Sequence, residues 1–373
     1  MKHISKYKLD HREKILQIFK QSNNFQHGFT SMNRIPSIFI PILAPIFLFS
    51  CFGAHAASRE VEFAGKTMGT TYHITVVADG NRSTDGLQKQ IDEELEQVNQ
   101  EMSVYRSDSE ISRFNSFNRA GVGFAISENF MEVLNVSKSV YEITDGAWDG
   151  TVNPLLEVWG FRSKESPSKI PEKEKIEEIL SRIGFDQIIL SDRNHVIKKD
   201  PAVTLDLASI AKGHGVDRVS GVLLKNGFKN FIVEIGGEIY ASGHAADNKP
   251  WKAGINTPRK FAPFDEVYKV IALTDAAMAT SGDNRNFVEI EGRQYSHIID
   301  PRTGYPVKNN VAAATIIAAT CAFADGLATA VMVMGLEKSL LLIDRLAGVE
   351  GLVITRNPDG GFSNHYSKGL SPR

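Results

Sequence analysis

Between residues 61 and 355 the chain carries strand-like segments in clusters, with helices set among them and no repeating βαβ pattern. That arrangement excludes a regular doubly wound sheet and implies an α+β fold of mixed sheets, hairpins and packed helices. The first strand signal is 61–78, where TYHITVV alternates. Leu87, Ile91, Leu95, Val98 and Met102 recur at helical spacing, so 85–102 reads as an amphipathic helix. A second helix is expected over 128–144, with Ser127 as N-cap and Gly146 beyond its end. A third, 171–183, has Pro171 in its first turn and Gly184 as its stop. VTLDL (203–207) reads as a strand feeding a helix over 209–226, and NFIVEIGGEIYASG as a hairpin about Gly236-Gly237. Further strands are expected near 252–256, 266–273, 286–291, 294–299 and 311–318. A helical region over 321–347, broken at Gly335, and a last strand at 351–355 follow. The Lys- and Glu-rich stretch 162–179 reads as a solvated excursion.

At 373 residues the chain has room for one large or two ordinary domains, and 42% hydrophobic with 23% charged residues fits a soluble globular protein. The apolar run over 35–57 interrupts that picture. Arg34, the stretch IPSIFIPILAPIFLF and then Ala54-His55-Ala56 have the layout of a secretory signal. Prolines at 36, 41 and 45 argue against a membrane-spanning helix there. Residues 1–31 are long, polar and mixed in charge, which does not suit the front of a signal, so Met32 is the expected start. Cleavage after Ala56 would release a soluble protein, and Leu48-Phe49-Ser50-Cys51 resembles a lipobox that would leave Cys51 lipidated. Either exit puts residues 57–373 outside the cytoplasm, periplasmic in a cell with an outer membrane. Cys321 is then the remaining cysteine, so no internal disulfide can form. Without residues 1–56 the chain has 35 Lys/Arg against 42 Asp/Glu, a formal −7. That balance argues against nucleic acid and anionic membrane surfaces as partners.

Several segments concentrate chemistry. Asp325 and Thr329 stand four apart in an expected helix, so their side chains share a face. With Gly326, Ala328 and Ala330 around them, they leave room for a small hard cation that prefers oxygen ligands. The competing reading makes Asp325 a first-turn acid favoured by the helix dipole and Thr329 helix filler. KTMGT (66–70) is a Gly-containing strand entry or a plain turn. Tyr105, just past a helix end, either stacks on a flat ring or covers core. DGAWDGTVNP (145–154) is a pocket-lining loop or a helix C-cap with a turn. In LDLASIAKGHGVD (205–217), Asp206 precedes a helix N-terminus, a place that suits anions or a simple N-cap, and Lys212 follows one and a half turns later. Neither a Walker A pattern nor a GxGxxG fingerprint occurs.

In this order, KTMGT, MSVYR-x-DSEIS-x-FN, DGAWD-x-TVNPL-x-x-x-WGF, DL-x-x-IAKG-x-x-VD, VEIGGE, ATSGD and SHIIDPRTG with AD-x-x-AT resemble the ApbE family, the FAD:protein FMN transferases. The resemblance runs from about Glu60 to Thr355 and implies an ApbE-like (T-fold-like) α+β architecture. It implies cleavage of FAD at its pyrophosphate, transfer of FMN to a threonine hydroxyl of an acceptor flavoprotein, release of AMP, and a requirement for magnesium. It also implies an FAD site at Met68, Tyr105, Ala147, Trp148, Asp149, Asp206, Lys212 and Ile299. The metal would be held by the side chains of Asp325 and Thr329 and the carbonyl of Ser209. Where some relatives place a second acid beside the metal-binding threonine, this chain has Ala328. The family's acceptors are flavinylated subunits of respiratory redox complexes, such as sodium-pumping quinone reductases.

The attacking threonine needs a base. His297 has a reference pKa suited to proton pick-up, with Asp300 to orient it or to serve in its place. His297 read alone is equally a turn-stabilising hydrogen bonder. Two other classes compete. One is a magnesium-dependent FAD pyrophosphatase, with water as nucleophile. The other is a non-catalytic flavin-binding protein, which would keep Tyr105, Trp148 and Asp206 but has no use for Asp325 and Thr329.

Overall fold

The structure, a computed structural model, describes residues 58–370 apart from 163–166, 168, 192, 264 and 285. The signal-like segment, Met32 and Cys51 lie outside the described residues. An eight-stranded sheet organises the rest. Its strands are Arg59–Thr67, Thr70–Ala78, Phe231–Ile235, Glu238–Ser242, Ala276–Gly282, Val311–Ala318, Glu350–Arg356 and Phe362–Tyr366, adjacent in space in the same order as in the chain. Every neighbouring pair is antiparallel. Long excursions leave this meander between strands and carry the helices. The expected α+β class is therefore what the chain adopts.

Residues 61–78 form two strands rather than one. Met68 and Gly69, both at positive φ (47° and 73°), turn the chain so that Thr67 pairs with Thr70. This is the conformation a two-residue hairpin turn demands. Gly236 and Gly237 (φ 60° and 104°) do the same between Ile235 and Glu238.

The alternation in Thr70–Ala78 sends Tyr72, Ile74 and Val76 to one face. There they meet Leu87, Ile91 and Leu95 of the helix Leu87–Met102, and Val216, Val219 and Leu223 of the helix Ala208–Lys225. Farther along the same face the alanine-rich helix Cys321–Met334 lies on Ala279, Ala314 and Ile316, whose small or slender side chains permit close approach. Val311–Ala318 is buried on both faces. Its other side, with Met278 and Ile354, is covered by the two-stranded ribbon Trp251–Asn256 and Val267–Leu273. The helix Glu128–Ile143 starts at Ser127, whose Oγ accepts from the Phe130 N–H (3.2 Å). Gly335 (φ 76°) separates Cys321–Met334 from Leu336–Ile343, at the expected break.

Four local expectations need correction. The segment 203–207 joins no sheet. The Leu205 N–H and carbonyl pair with the Asn115 side chain (2.7 and 2.8 Å), and the Asp206 N–H with the Gly150 carbonyl (2.7 Å), so its backbone is satisfied by loops. The third helix is shorter, Lys173–Leu180, and Pro171 precedes it. Ile176 and Ile179 of that helix are buried, so 162–179 is not wholly a solvated excursion. Residues 350–356 are not the last strand, because Phe362–Tyr366 pairs beside them.

Candidate active site

A cavity of about 890 Å³ opens beside the Gly236-Gly237 turn, between the first turns of Ala208–Lys225, the helix Cys321–Met334 and the loop 147–152. Its size falls within the roughly 300–1,000 Å³ of sites that enclose a small-molecule ligand. Lys212, Glu238 and Asp325 meet at its wall. Lys212 Nζ lies 3.3 Å from Glu238 Oε2 and 3.8 Å from Asp325 Oδ2. Both carboxylates are 3% exposed. Burial raises the pKa of each, and the Lys212 ammonium pulls against that rise. For Lys212 itself burial works downward, but Asp325 and Glu238 outweigh it and hold the ammonium above the ordinary lysine value.

Asp325 does not sit in the first turn of its helix, where a dipole-favoured surface acid would sit; it lies one turn further in and is buried. Its Oδ2 accepts from the Gly213 N–H (3.1 Å). Helix geometry aims that same N–H at the Ser209 carbonyl, so carboxylate and carbonyl converge. One turn beyond Asp325, Thr329 Oγ1 is 3.1 Å from Ser281 Oγ. Glu238 Oε2 has no hydrogen-bond partner of good geometry among the described residues. Among those residues no three His, Cys, Asp or Glu side chains converge. The donor set is instead one or two carboxylates, hydroxyls and a carbonyl. Those hard oxygens, with an under-satisfied carboxylate beside them, fit Mg²⁺, which keeps several of its waters. Ala328 is buried in the core and adds no donor.

The loop 147–152 forms an adjoining wall. Trp148 is 2% exposed, packs near Phe185, and donates from Nε1 to Ser209 Oγ (2.9 Å). Asp149 Oδ1 accepts from the Thr151 N–H and hydroxyl (2.8 and 2.7 Å), while burial pushes its pKa up to about 6. Ala147 lines the cavity beside them. Asp206 Oδ1 accepts from the Ala208 N–H (2.9 Å) at the helix start, and Oδ2 pairs with Arg162. Arg162 also donates to the Tyr105 hydroxyl (3.2 Å). Tyr105 is 84% exposed at the cavity, so it does not cover core.

Across the cavity, His297 Nδ1 lies 3.0 Å from the Asn286 carbonyl. A carbonyl can only accept, so Nδ1 carries a proton, and in the neutral ring Nε2 keeps its lone pair. Burial holds the His297 pKa below the usual histidine value, partly opposed by the Asn286 carbonyl and Asp283. Ile299 lines the cavity next to it, in a two-residue strand paired with Pro306. Two expected site residues fall elsewhere. Asp300 is clasped by Arg302, Oδ1 to Nε and Oδ2 to Nη2 at 2.8 Å each, and that fork takes the oxygens it would need to orient His297. Met68 does not line the cavity; its hairpin turn sets Cε against Gly215, where a Cβ would come within 2.5 Å.

Reading the sequence left Glu238, Ser281 and Arg162 without roles. Glu238 and Ser281 lie inside VEIGGE and ATSGD, so the signal was a motif without an assigned side chain. Arg162 directly follows WGF.

Sheet, helices and cavity define an α+β protein whose site joins buried carboxylates and an ammonium to aromatic walls. Such a combination suits a phosphate-bearing ligand with flat rings. The sequence profile of the ApbE family matches residues 68–353. The chain is 38% identical over 321 residues to the FAD:protein FMN transferase of Vibrio cholerae, covering 86% of this chain and 94% of that one. It is 37% identical over 326 residues to the FAD:protein FMN transferase of Haemophilus influenzae, covering 86% and 93%. Among solved structures it is similar to the flavin transferase ApbE from Vibrio cholerae, with TM-score 0.74 and 38% identity over 83% of this chain and 98% of that one. The flavinyl transferase ApbE of Pseudomonas stutzeri in its apo form gives TM-score 0.74 and 34% identity over 83% and 95%. This chain belongs to the ApbE family.

Proposed function

We propose that this protein is a magnesium-dependent FAD:protein FMN transferase that attaches FMN through a phosphoester bond to a threonine of an acceptor flavoprotein and releases AMP. The observation that carries the reading is the Lys212–Glu238–Asp325 cluster facing the cavity, with the Thr329 and Ser281 hydroxyls beside it and a neutral His297 on the same cavity. Asp325, Thr329 and the Ser209 carbonyl would hold Mg²⁺, which when bound offsets the phosphate charge as AMP departs.

In the reaction the acceptor threonine oxygen bonds to the FMN-side phosphorus, and the phosphoanhydride bond to AMP breaks, its electron pair leaving with AMP. His297 Nε2 takes the threonine proton; its Nδ1–H bond to Asn286 keeps that lone pair available. The Lys212 ammonium and the N-terminal end of Ala208–Lys225 supply positive potential that needs no rearrangement during reaction. Tyr105 offers ring surface for the flavin or adenine, and Trp148, Asp149, Asp206, Ala147 and Ile299 shape the remaining wall.

The test is to incubate the protein with FAD, Mg²⁺ and candidate acceptor subunits of respiratory redox complexes, reading intact mass and AMP. The acceptor should gain one FMN for each AMP formed. Free FMN with an unmodified acceptor would point to the pyrophosphatase chemistry, and neither product would leave only a flavin-binding role. We also propose that the working protein is extracytoplasmic, beginning at Cys51 with a lipid or at Ala57 without one. Peptides from residues 1–31 in protein taken from the native envelope would refute this.

A further inference from the structure

The helix that carries Asp325 and Thr329 is capped from outside its own chain segment. First-turn N–H groups of a helix have no intrahelical partner, and Thr320, at the N-cap of Cys321–Met334, makes no side-chain cap bond among the described residues. Asp217 supplies the cap from the neighbouring helix Ala208–Lys225. Its Oδ1 accepts from the Cys321 N–H (2.7 Å) and its Oδ2 from the Ala322 N–H (2.9 Å). A carboxylate at a helix N-terminus is favoured by charge-assisted hydrogen bonds and by the dipole.

One turn earlier on the same helix, Gly213 touches the partner helix directly. A Cβ there would stand 2.4 Å from the Cys321 carbonyl oxygen. The two helices are thus in register at Gly213 and Asp217 on one side and at Cys321 and Asp325 on the other. The register matters because the oxygens at this site come from both helices. A slip of one residue moves Asp325 by about 1.5 Å, whereas Mg²⁺ demands near-ideal geometry at roughly 2.0–2.1 Å.

We propose that Asp217 is a positioning residue that, by capping Cys321–Met334 across the helix crossing, holds Asp325 and Thr329 against the Ser209 carbonyl in the register that takes up magnesium. The inference rests on the magnesium reading above. A cap from within 318–320 would secure the helix end equally well but would leave its register against Ala208–Lys225 unfixed. Burial pushes the Asp217 pKa up to about 7, so its charged form is tested above that value.

Asp217→Asn keeps the size and one acceptor but turns an amide donor toward one of the two N–H groups. At pH 8, calorimetric titration of the FAD-free protein should show Mg²⁺ affinity falling by at least about 10-fold, as loss of outer-shell partners does. FAD affinity without Mg²⁺ should stay within about twofold, since Asp217 does not line the cavity. Gly213→Ala, which forces the same crossing apart, should weaken Mg²⁺ in the same way. Leu223→Ala, a buried change on the same helix six residues beyond Asp217, controls for lost stability and should leave Mg²⁺ affinity unchanged. Wild-type Mg²⁺ affinity in folded Asp217→Asn, or an equal loss in Leu223→Ala, overturns the proposal. If the wild-type protein takes up no Mg²⁺, the metal reading fails and this inference fails with it.

Discussion

Lys212→Met keeps most of the side-chain stem and removes the ammonium from between two buried carboxylates. At 3.3 Å from Glu238 and 3.8 Å from Asp325, and with an effective dielectric near 20, each attraction is about 4–5 kcal/mol. Much of that repays the desolvation of the charges. Removing one partner of a buried pair costs about 3–5 kcal/mol. The two carboxylates do not double this figure, because either can escape by taking a proton. Burial has already raised both pKa values, and losing the ammonium raises them further. A carboxyl whose folded pKa exceeds its unfolded value binds more protons folded than unfolded, so its contribution to stability declines as pH rises through that window. The variant should therefore lose about 3–5 kcal/mol at pH 8 and much less at pH 5. Urea denaturation at both pH values measures this directly. Mg²⁺ at about 100 times its dissociation constant should return about 2.7 kcal/mol at pH 8 if it binds only the folded protein. A penalty under about 1 kcal/mol at pH 8, or one equal at pH 5 and pH 8, would refute the view that Lys212 offsets buried negative charge.

Asp325→Ala and Thr329→Val should each slow AMP release by about 10²–10³-fold and raise the Mg²⁺ needed for half-activation. Full activity of Asp325→Ala with an unchanged Mg²⁺ response would remove it from the metal site. His297→Ala should slow transfer by about 10²–10⁴-fold with FAD affinity near wild type. The wild-type rate should climb with pH through a His297 pKa below the usual histidine value and then level off, because the neutral ring is the base; the variant should lack that limb. Loss of FAD binding with the per-turnover rate intact would make His297 a wall of the pocket. Asp300→Asn should change the rate far less than His297→Ala, since its carboxylate engages Arg302.

The parts of the fold legible in the sequence are those that local physics decides. Leu87, Ile91 and Leu95 at helical spacing, Ser127 as a cap and two glycines at a hairpin each specify a conformation within a few residues. Ala276–Gly282 was not legible. AAMATSG has no hydrophobic alternation and only Thr280 is β-branched, yet it becomes an interior strand. Its backbone pairs on both sides, with Glu238–Ser242 and Val311–Ala318, and small side chains such as Ala279 are what the overlying helix Cys321–Met334 requires. VTLDL failed in the opposite sense. Its pattern suits a strand, but Asn115 and Gly150 satisfy its backbone first.

The site divides along the same line. Asp325 and Thr329 could be paired from sequence because one helical turn joins them. Glu238 could not be joined to Lys212, because that contact depends on a hairpin turn at Gly236-Gly237 placing the first residue of Glu238–Ser242 against a helix from an earlier excursion. Counted together, Lys212, Glu238 and Asp325 carry more negative than positive charge in a place where each carboxylate is buried. Unpaired buried charge is costly, and these carboxylates meet that cost partly by raised pKa values and partly by sharing one ammonium. A divalent cation would reverse the excess, and a pyrophosphate would then answer the cation. The cluster is thus intelligible as a set of charges completed by ligands, which explains why no single residue in it announces its role when read along the chain.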